Sequence, residues 1–317
     1  MGKLLSICVP HYKEDSSVVK PLLDSIALQQ GCDLSRIEVV IANDGGPEVE
    51  TIDYPYDIKQ VWQENQGLSA ARNLAYDNSC GEYVMFCDCD DMFLNMMGIF
   101  YIFKEIDKGF DMLISAFVEE AALPTGRLGF VVHEYDEVFV HGKVYRRGFL
   151  DDNHIRWRPE LTLHEDHYFN FLCKDIAGKG RFCPTPFYLW KYRADSTVRA
   201  DDKFLLKTHD QLLKANRALV EELLSRGMDD KAARVYLDMM FESYYTFNTW
   251  KGDGELKREK LPFIKEYFEA HKDIWDGCPE DVRDKWRELQ KKRMFPDSEP
   301  EIQLSFDMWM DLVTQQI

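Results

Sequence analysis

The stretch "EYVMFCDCDDMF" (residues 82–93) carries an apolar run straight into three aspartates, Asp88, Asp90 and Asp91. The run is apolar on both faces, which suits a strand buried between two layers rather than one with a solvent side. Negative charge therefore collects where a buried strand surfaces. Asp88 and Asp90 lie two apart, so on an extended strand end their side chains share a face while Asp91 points elsewhere or opens a turn. Crowded carboxylates repel, and a divalent cation bound through oxygen, Mn2+ or Mg2+, relieves that repulsion. The competing reading is a solvated turn; it suffices for one aspartate but not for three beside other polar loops.

Working outward, "LLSICVP" (4–10) and "IEVVIA" (37–42) have the same two-faced apolarity and, with "YVMFCD" (83–88), give three buried strands. Between the first two, apolar residues at positions 18, 19, 22, 23, 26 and 28 form a helical stripe with Gly31 as its stop. A second helix is predicted from Ser69, a good N-cap, toward Gly81. Strand and helix in alternation predict an open parallel sheet with crossover helices, whose ligands sit beyond the carboxyl ends of the strands. The loops "PHYKED", "NDGG" and "DCDD" all fall there. "DMLISAFVEE" and "GFVVHEYDEVFV" read as two further strands, and a helix is predicted near Glu165. From about residue 201 the pattern turns helical, with apolar residues at 205, 206, 212, 213, 219, 220, 223 and 224. Pro262 and Pro279 sit where first-turn prolines would open more helices.

At 317 residues and 45% hydrophobic content the chain has room for one main domain and a smaller appended one. A net charge of -17 argues against nucleic acid and anionic lipid as partners, since both are polyanions. The sequence has no run of about 18 apolar residues and no signal-peptide pattern at its start, so a cytoplasmic protein without a transmembrane segment is expected. Eight cysteines without a CxxC pair read as reduced thiols, and Cys87 and Cys89 receive no chemistry. No feature bears on oligomeric state.

Taken in order, "VPHYKE", "ANDGG", "NQGLSAARN", "CDCDD" and "HED" resemble a family 2 glycosyltransferase with the GT-A fold, over about residues 4 to 200. The resemblance implies an α/β fold, an open mixed sheet flanked by helices, followed by a smaller all-helical region. Residues 1–110 would form the nucleotide-sugar half, 111–200 the acceptor half with the catalytic base, and 201–317 the helical region. It further implies that Pro10, Tyr12 and Glu14 lie along the nucleotide and that Asp44 recognises the nucleobase, commonly uracil, whose imide N–H a carboxylate can accept. Without the resemblance, Asp44-Gly45-Gly46 reads as a tight turn. By the same carry-over Gly67 permits close approach and Arg72 meets the nucleotide or its phosphates, a buried ion pair to the aspartates being its alternative. Asp88 meets the ribose or a metal-bound water, and Asp90 is the main ligand of Mn2+ or Mg2+. Asp166 is the general base, supported by Glu165, against a reading in which both merely cap a helix.

The expected activity is thus metal-dependent, inverting transfer from a nucleoside-diphosphate sugar, UDP-linked, to a glycan or other hydroxyl acceptor. A sugar-nucleotide or glycan binding protein without catalysis, and a DxD phosphatase, are the rival classes. In "HGKVYRR" (141–147), Lys143, Arg146 or Arg147 could meet phosphate or acceptor, with exposed strand-end charge as the alternative. In "LWKYRADSTVR" (189–199), Trp190 could stack on a sugar or simply pack, and Arg193, Ser196 or Arg199 could close over phosphates. Near the end, Ile302, Phe306, Trp309, Met310 and Val313 form a helical face, expected to pack back on the helical region, with docking on a partner, another subunit or a membrane edge as the alternative.

Overall fold

The three apolar runs become neighbours in one sheet. In the computed structural model, which describes residues 2–123, 126–193, 203–249 and 254–315, the first part of the chain runs β1 (Leu5–His11), α1 (Ser16–Ala27), β2 (Ile37–Asp44), β3 (Asp57–Gln63), α2 (Leu68–Asp77) and β4 (Tyr83–Phe86). It continues through β5 (Met92–Phe93), α3 (Gly98–Ile106), β6 (Met112–Ala122), β7 (Leu128–His133), β8 (Lys143–Arg146), α4 (Arg147–Asp152), α5 (Glu165–Ile176) and β9 (Gly180–Trp190). Among the described residues the sheet order is β3-β2-β1-β4-β8-β6-β9-β5, with β7 added on β6. The pairings β3-β2, β2-β1 and β1-β4 are parallel, whereas β8 is antiparallel to both β4 and β6. The sheet is therefore mixed, and its order reverses between β1 and β4. A reversal of this kind opens a crevice beyond the carboxyl ends of the strands.

Strands β1 and β2 are buried along their whole length, as two-faced apolarity demands. Helix α1 starts at Asp15, whose side chain accepts from the Ser17 N–H at 2.9 Å, and buries Val19, Leu22, Leu23 and Ile26. Several elements depart from the expectations. Strand β3 carries no sequence signal, because "DIKQVWQ" is an edge strand of mixed exposure without an apolar run. Only residues 128–133 of "GFVVHEYDEVFV" and its flank form a strand, the remainder turning into β8. Helix α2 is capped not by Ser69, which is buried, but by Gly67, whose φ of +89° is the left-handed region that glycine adopts without a Cβ clash. The helix ends at Asp77, short of Gly81.

The chain divides into the compact units Met1–Ser196 and Thr197–Ile317. The second unit is helical among its described residues: α6 (Phe204–Lys207), α7 (His209–Ser225), α8 (Asp229–Thr249), α9 (Gly254–Ala270), α10 (Lys272–Gly277), α11 (Glu280–Met294) and α12 (Phe306–Thr314). Pro279 caps α11, but Pro262 lies inside α9 rather than at its start. Phe306 packs on Phe241, Tyr244 and Trp275, and Trp309 and Val313 are buried, so the terminal helix folds back on this unit while Ile302 stays exposed. Among the described residues no helix is long and apolar enough to cross a membrane. All eight cysteines are free thiols, and Cys87 and Cys89 are buried.

Candidate active site

Strand β4 stops at Phe86, two residues before the first aspartate, and this reshapes the acidic cluster. Residues 88–91 close a turn in which the Asp91 N–H donates to the Asp88 carbonyl at 3.2 Å. Asp88 and Asp90 therefore do not share a strand face. It is Asp88 and Asp91 that converge, with His141 as a third member: one ligand atom from each lies within 4.8 Å of the others. Asp91 is fully buried and accepts from the Tyr188 hydroxyl at 2.5 Å and the Lys191 N–H at 2.9 Å. Burial, and then the charges of Asp88 and Asp90, push its carboxyl well above the usual range. Asp90 is raised too, by burial and by Asp88, although Arg193 Nη1 lies 3.0 Å from its Oδ2. Arg193 also stands 3.6 Å from Glu14.

Two carboxylates and an imidazole form a donor set that suits Mn2+ and tolerates Mg2+. Burial first, and neighbouring carboxylates after it, raise Asp90 and Asp91, and a divalent cation offsets that crowding of charge. The residues present thus fit a cation. His141, stacked on Tyr188 at 4.9 Å, heads the stretch "HGKVYRR", of which the sequence reading weighed only the basic residues.

Arg72 joins this turn to the start of α5. Its guanidinium is buried, donating from Nη2 to Asp88 at 3.1 Å and from Nη1 to Glu165 at 3.0 Å and Asp166 at 2.7 Å. Burial opposes its charge, but Asp166, Asp88 and Glu165 outweigh that and hold its pKa above the ordinary value. Trp157 covers it, the guanidinium carbon lying 4.4 Å from the ring centre. Asn73 pins the Trp157 backbone through both its amide and its carbonyl, at 3.0 and 2.8 Å. Arg72 thus realises the buried ion pair that the sequence offered as its alternative role.

Glu165 and Asp166 enter the first turn of α5 after His164, whose φ of +58° turns the chain sharply. Their carboxylates face Arg72. Burial, with Asp166 adding to it, lifts Glu165 to about 7, against the pull of Arg72. Asp166 is also raised by burial, and its second oxygen accepts from the Val140 N–H at 3.0 Å.

The first two loops lie on the same edge of the sheet. Asp44 is buried, and its carboxylate accepts from Gln63 Nε2 at 2.7 Å and from the N–H groups of Gln66 and Gly67, both at 2.8 Å. It ties the entry of α2 to the end of β2. A Cβ on Gly46 would lie 1.3 Å from the Tyr12 carbonyl oxygen, so only glycine lets the first and second loops touch. Pro10 is still strand, opposite Ala42, while Tyr12 is exposed with the Lys13 ammonium over its ring. The Glu14 carboxylate accepts from the N–H groups of Tyr12 and Lys13, each at 3.2 Å.

The basic cluster turns inward. Lys143 is buried and Arg147 donates to the Gly81 carbonyl at 2.7 Å, whereas Arg146, at the end of β8, pairs with Asp111 at 2.7 Å with 38% of its side chain exposed and so stays strand-end charge. Trp190 packs on His141 and Phe139. Ser196 and Arg199 lie outside the described residues.

Residues 6–122 match the family described as Glycosyl transferase family 2. The putative glycosyltransferase EpsH of Bacillus subtilis is 24% identical over 284 residues, covering 81% of this chain and 80% of the relative. The structure of Staphylococcus aureus TarS 1-349 in complex with UDP-GlcNAc superimposes with a TM-score of 0.68 at 19% identity, covering 96% of this chain and 97% of that one. The mannosyltransferase PcManGT of Pyrobaculum calidifontis, in complex with GDP-Man and Mn2+, gives a TM-score of 0.50 at 12% identity over 94% of this chain and 89% of that one. The first four motif-bearing loops thus fall on the segment that matches glycosyl transferase family 2, and the mixed sheet flanked by helices beneath them is a GT-A-like fold.

Proposed function

We propose that this chain is a metal-dependent, inverting glycosyltransferase that moves a sugar from a UDP-linked donor to a hydroxyl of a glycan-type acceptor. The observation that carries the reading is the single buried guanidinium of Arg72 shared by Asp88, Glu165 and Asp166. Through it the acidic turn proposed for the donor diphosphate and the acid pair proposed for the acceptor belong to one cluster. Likeness to TarS with UDP-GlcNAc and to PcManGT with Mn2+ supports the donor class and the cation.

In this reading residues 1–110 bind the nucleotide, 111–200 bind the acceptor and supply the base, and 201–317 form the helical appendage. Tyr12, Glu14, Asp44 and Gly67 line or shape the nucleotide loops. Asp88 and Asp90 keep their assignment to the Mn2+ or Mg2+ ion, with Asp91 and His141 added to the set. Such an ion supplies Lewis-acid neutralisation of the charge on a departing diphosphate. Asp166 takes the proton of the acceptor hydroxyl, and burial, by lifting its carboxyl above the usual range, strengthens it as a base. One in-line displacement inverts the anomeric centre, so an α-linked donor gives a β-linked product.

The test is a thermal-shift screen of nucleoside diphosphates and their sugars, with and without Mn2+, on the native protein and on Asp90→Ala. Stabilisation by UDP or UDP-sugars that needs both the metal and Asp90 is expected, because a ligand of the native state raises its stability. Indifference to every nucleotide in a well-folded sample would sink the reading. Metal-dependent UDP release separates an enzyme from a binder that has lost catalysis.

A further inference from the structure

Lys143 opens β8 in "HGKVYRR", yet its side chain has no exposure, so it reaches neither a phosphate nor an acceptor. Burying an ammonium costs several kcal/mol unless it is well paired, and burial does depress its pKa. Its partners are the Phe139 carbonyl and, at 3.5 Å, the Asp136 carboxylate. Both belong to the turn at residues 136–140.

The polar groups of that turn converge on one result. Asp136 Oδ1 accepts from the N–H groups of Val138 and Phe139 at 2.9 and 2.7 Å. The Val138 carbonyl accepts from Asn170 Nδ2 at 2.6 Å, and Asn170 sits one helical turn beyond Asp166 on α5. The Lys143 N–H returns to the Val140 carbonyl at 3.3 Å. What this framework presents is the Val140 N–H, which donates to Asp166 Oδ2. Arg72 holds the other oxygen. A carboxylate anchored through one oxygen can swing about its Cβ–Cγ bond; anchored through both, its plane and its remaining lone pairs are fixed.

We propose that Lys143 is a positioning residue for the general base, fixing the 136–140 turn so that the Val140 N–H and the Arg72 guanidinium clamp Asp166 from two sides. The proposal rests on Asp166 being that base. Positioning of this kind acts on turnover, because orientation of the reacting group matters to the transition state and not to the binding of the donor.

The experiment measures Mn2+-dependent UDP release from UDP-GlcNAc, with calorimetric binding of UDP and Mn2+ alongside, for the native chain, Lys143→Met, Asp166→Asn and the double variant. Expected is a tenfold or greater fall in kcat for Lys143→Met, with KM and UDP affinity within twofold of native, and less than a twofold further loss when it is added to Asp166→Asn. A native chain that releases no UDP, or an Asp166→Asn variant as fast as native, removes the base and this proposal with it. A native-like Lys143→Met beside an inactive Asp166→Asn overturns the Lys143 proposal alone. The Lys143 proposal also falls if Lys143→Met lowers UDP affinity, or slows both backgrounds equally. Should Lys143→Met fail to fold, Asp136→Asn is judged by the same criteria, since it keeps the acceptor for Val138 and Phe139 but loses the charge that draws Lys143.

Discussion

In residues 1–196 buried charge is crowded, with Arg72 facing three carboxylates and Asp91 buried beside Asp88 and Asp90, whereas among the described residues of 197–317 several buried polar groups meet neutral or opposite partners. There His209 meets Ser243 at 2.9 Å, Asn216 meets the Tyr267 hydroxyl at 2.5 Å, and Lys260 meets Asp210 at 2.9 Å. The second arrangement is what a helical core needs to satisfy its polar groups. The first costs stability, since like charges are confined together, and a fold retains such a cluster where chemistry uses it. Glu242 on α8 departs from that pattern, a partly buried acid raised to about 7 by burial and by Asp238.

The largest consequence falls on turnover. Asp166→Asn removes the proposed base, and loss of general-base catalysis lowers transfer by about 10²- to 10⁴-fold. UDP binding, read by calorimetry, stays near native; an active Asp166→Asn protein would make the first unit's crowding structural only.

Next is stability. Arg72→Met strands three carboxylates around a neutral side chain, and breaking a buried ion cluster in this way costs about 3–5 kcal/mol. Chemical denaturation reads it, and a change below about 1 kcal/mol would show that the cluster is solvated.

Glu242 carries a pH signature. Its carboxyl titrates near 4.5 when unfolded and near 7 when folded, so its favourable contribution is complete below pH 4.5 and is lost as pH rises through 7. Glu242→Gln should leave the midpoint unchanged at pH 4 and stabilise at pH 8 by about 3 kcal/mol, a tenfold difference in proton affinity between folded and unfolded chain being worth about 1.4 kcal/mol. An equal effect at both pH values would remove the titration from the explanation.

Smallest is Tyr267→Phe, which leaves the buried Asn216 oxygen without this donor and costs about 1 kcal/mol, with no effect on UDP release. A loss of UDP release at unchanged stability would give the helical unit a share in the chemistry.

Much of the first unit was legible from residue pattern. Two-faced apolar runs of this short length at 4–10, 37–42 and 83–88 read as buried strands, which they are, the third only to Phe86, and their polar ends mark the crevice. The aspartates after the third run stood out by their crowding, whereas Asp44, Arg72 and the pair Glu165 and Asp166 stood out only through the family resemblance, each having an ordinary structural reading as turn, ion pair or helix cap. The edge strand β3 and the short β5 were not legible, because partly exposed or two-residue strands carry little apolar signal. Nor was His141, whose importance depends on a partner about 50 positions away.

By itself the sequence determined which segments are buried, their order and the excess of acid at their carboxyl ends, since burial and charge follow from side-chain type and period. Which carboxylates face one another was decided by tertiary structure. The 88–91 turn exchanged Asp90 for Asp91 beside Asp88, the 136–140 turn brought the Val140 N–H to Asp166, and α2 aimed Arg72 at α5. Side-chain chemistry is local, but a shared partner is a distance between remote parts of the chain, and packing alone sets that distance.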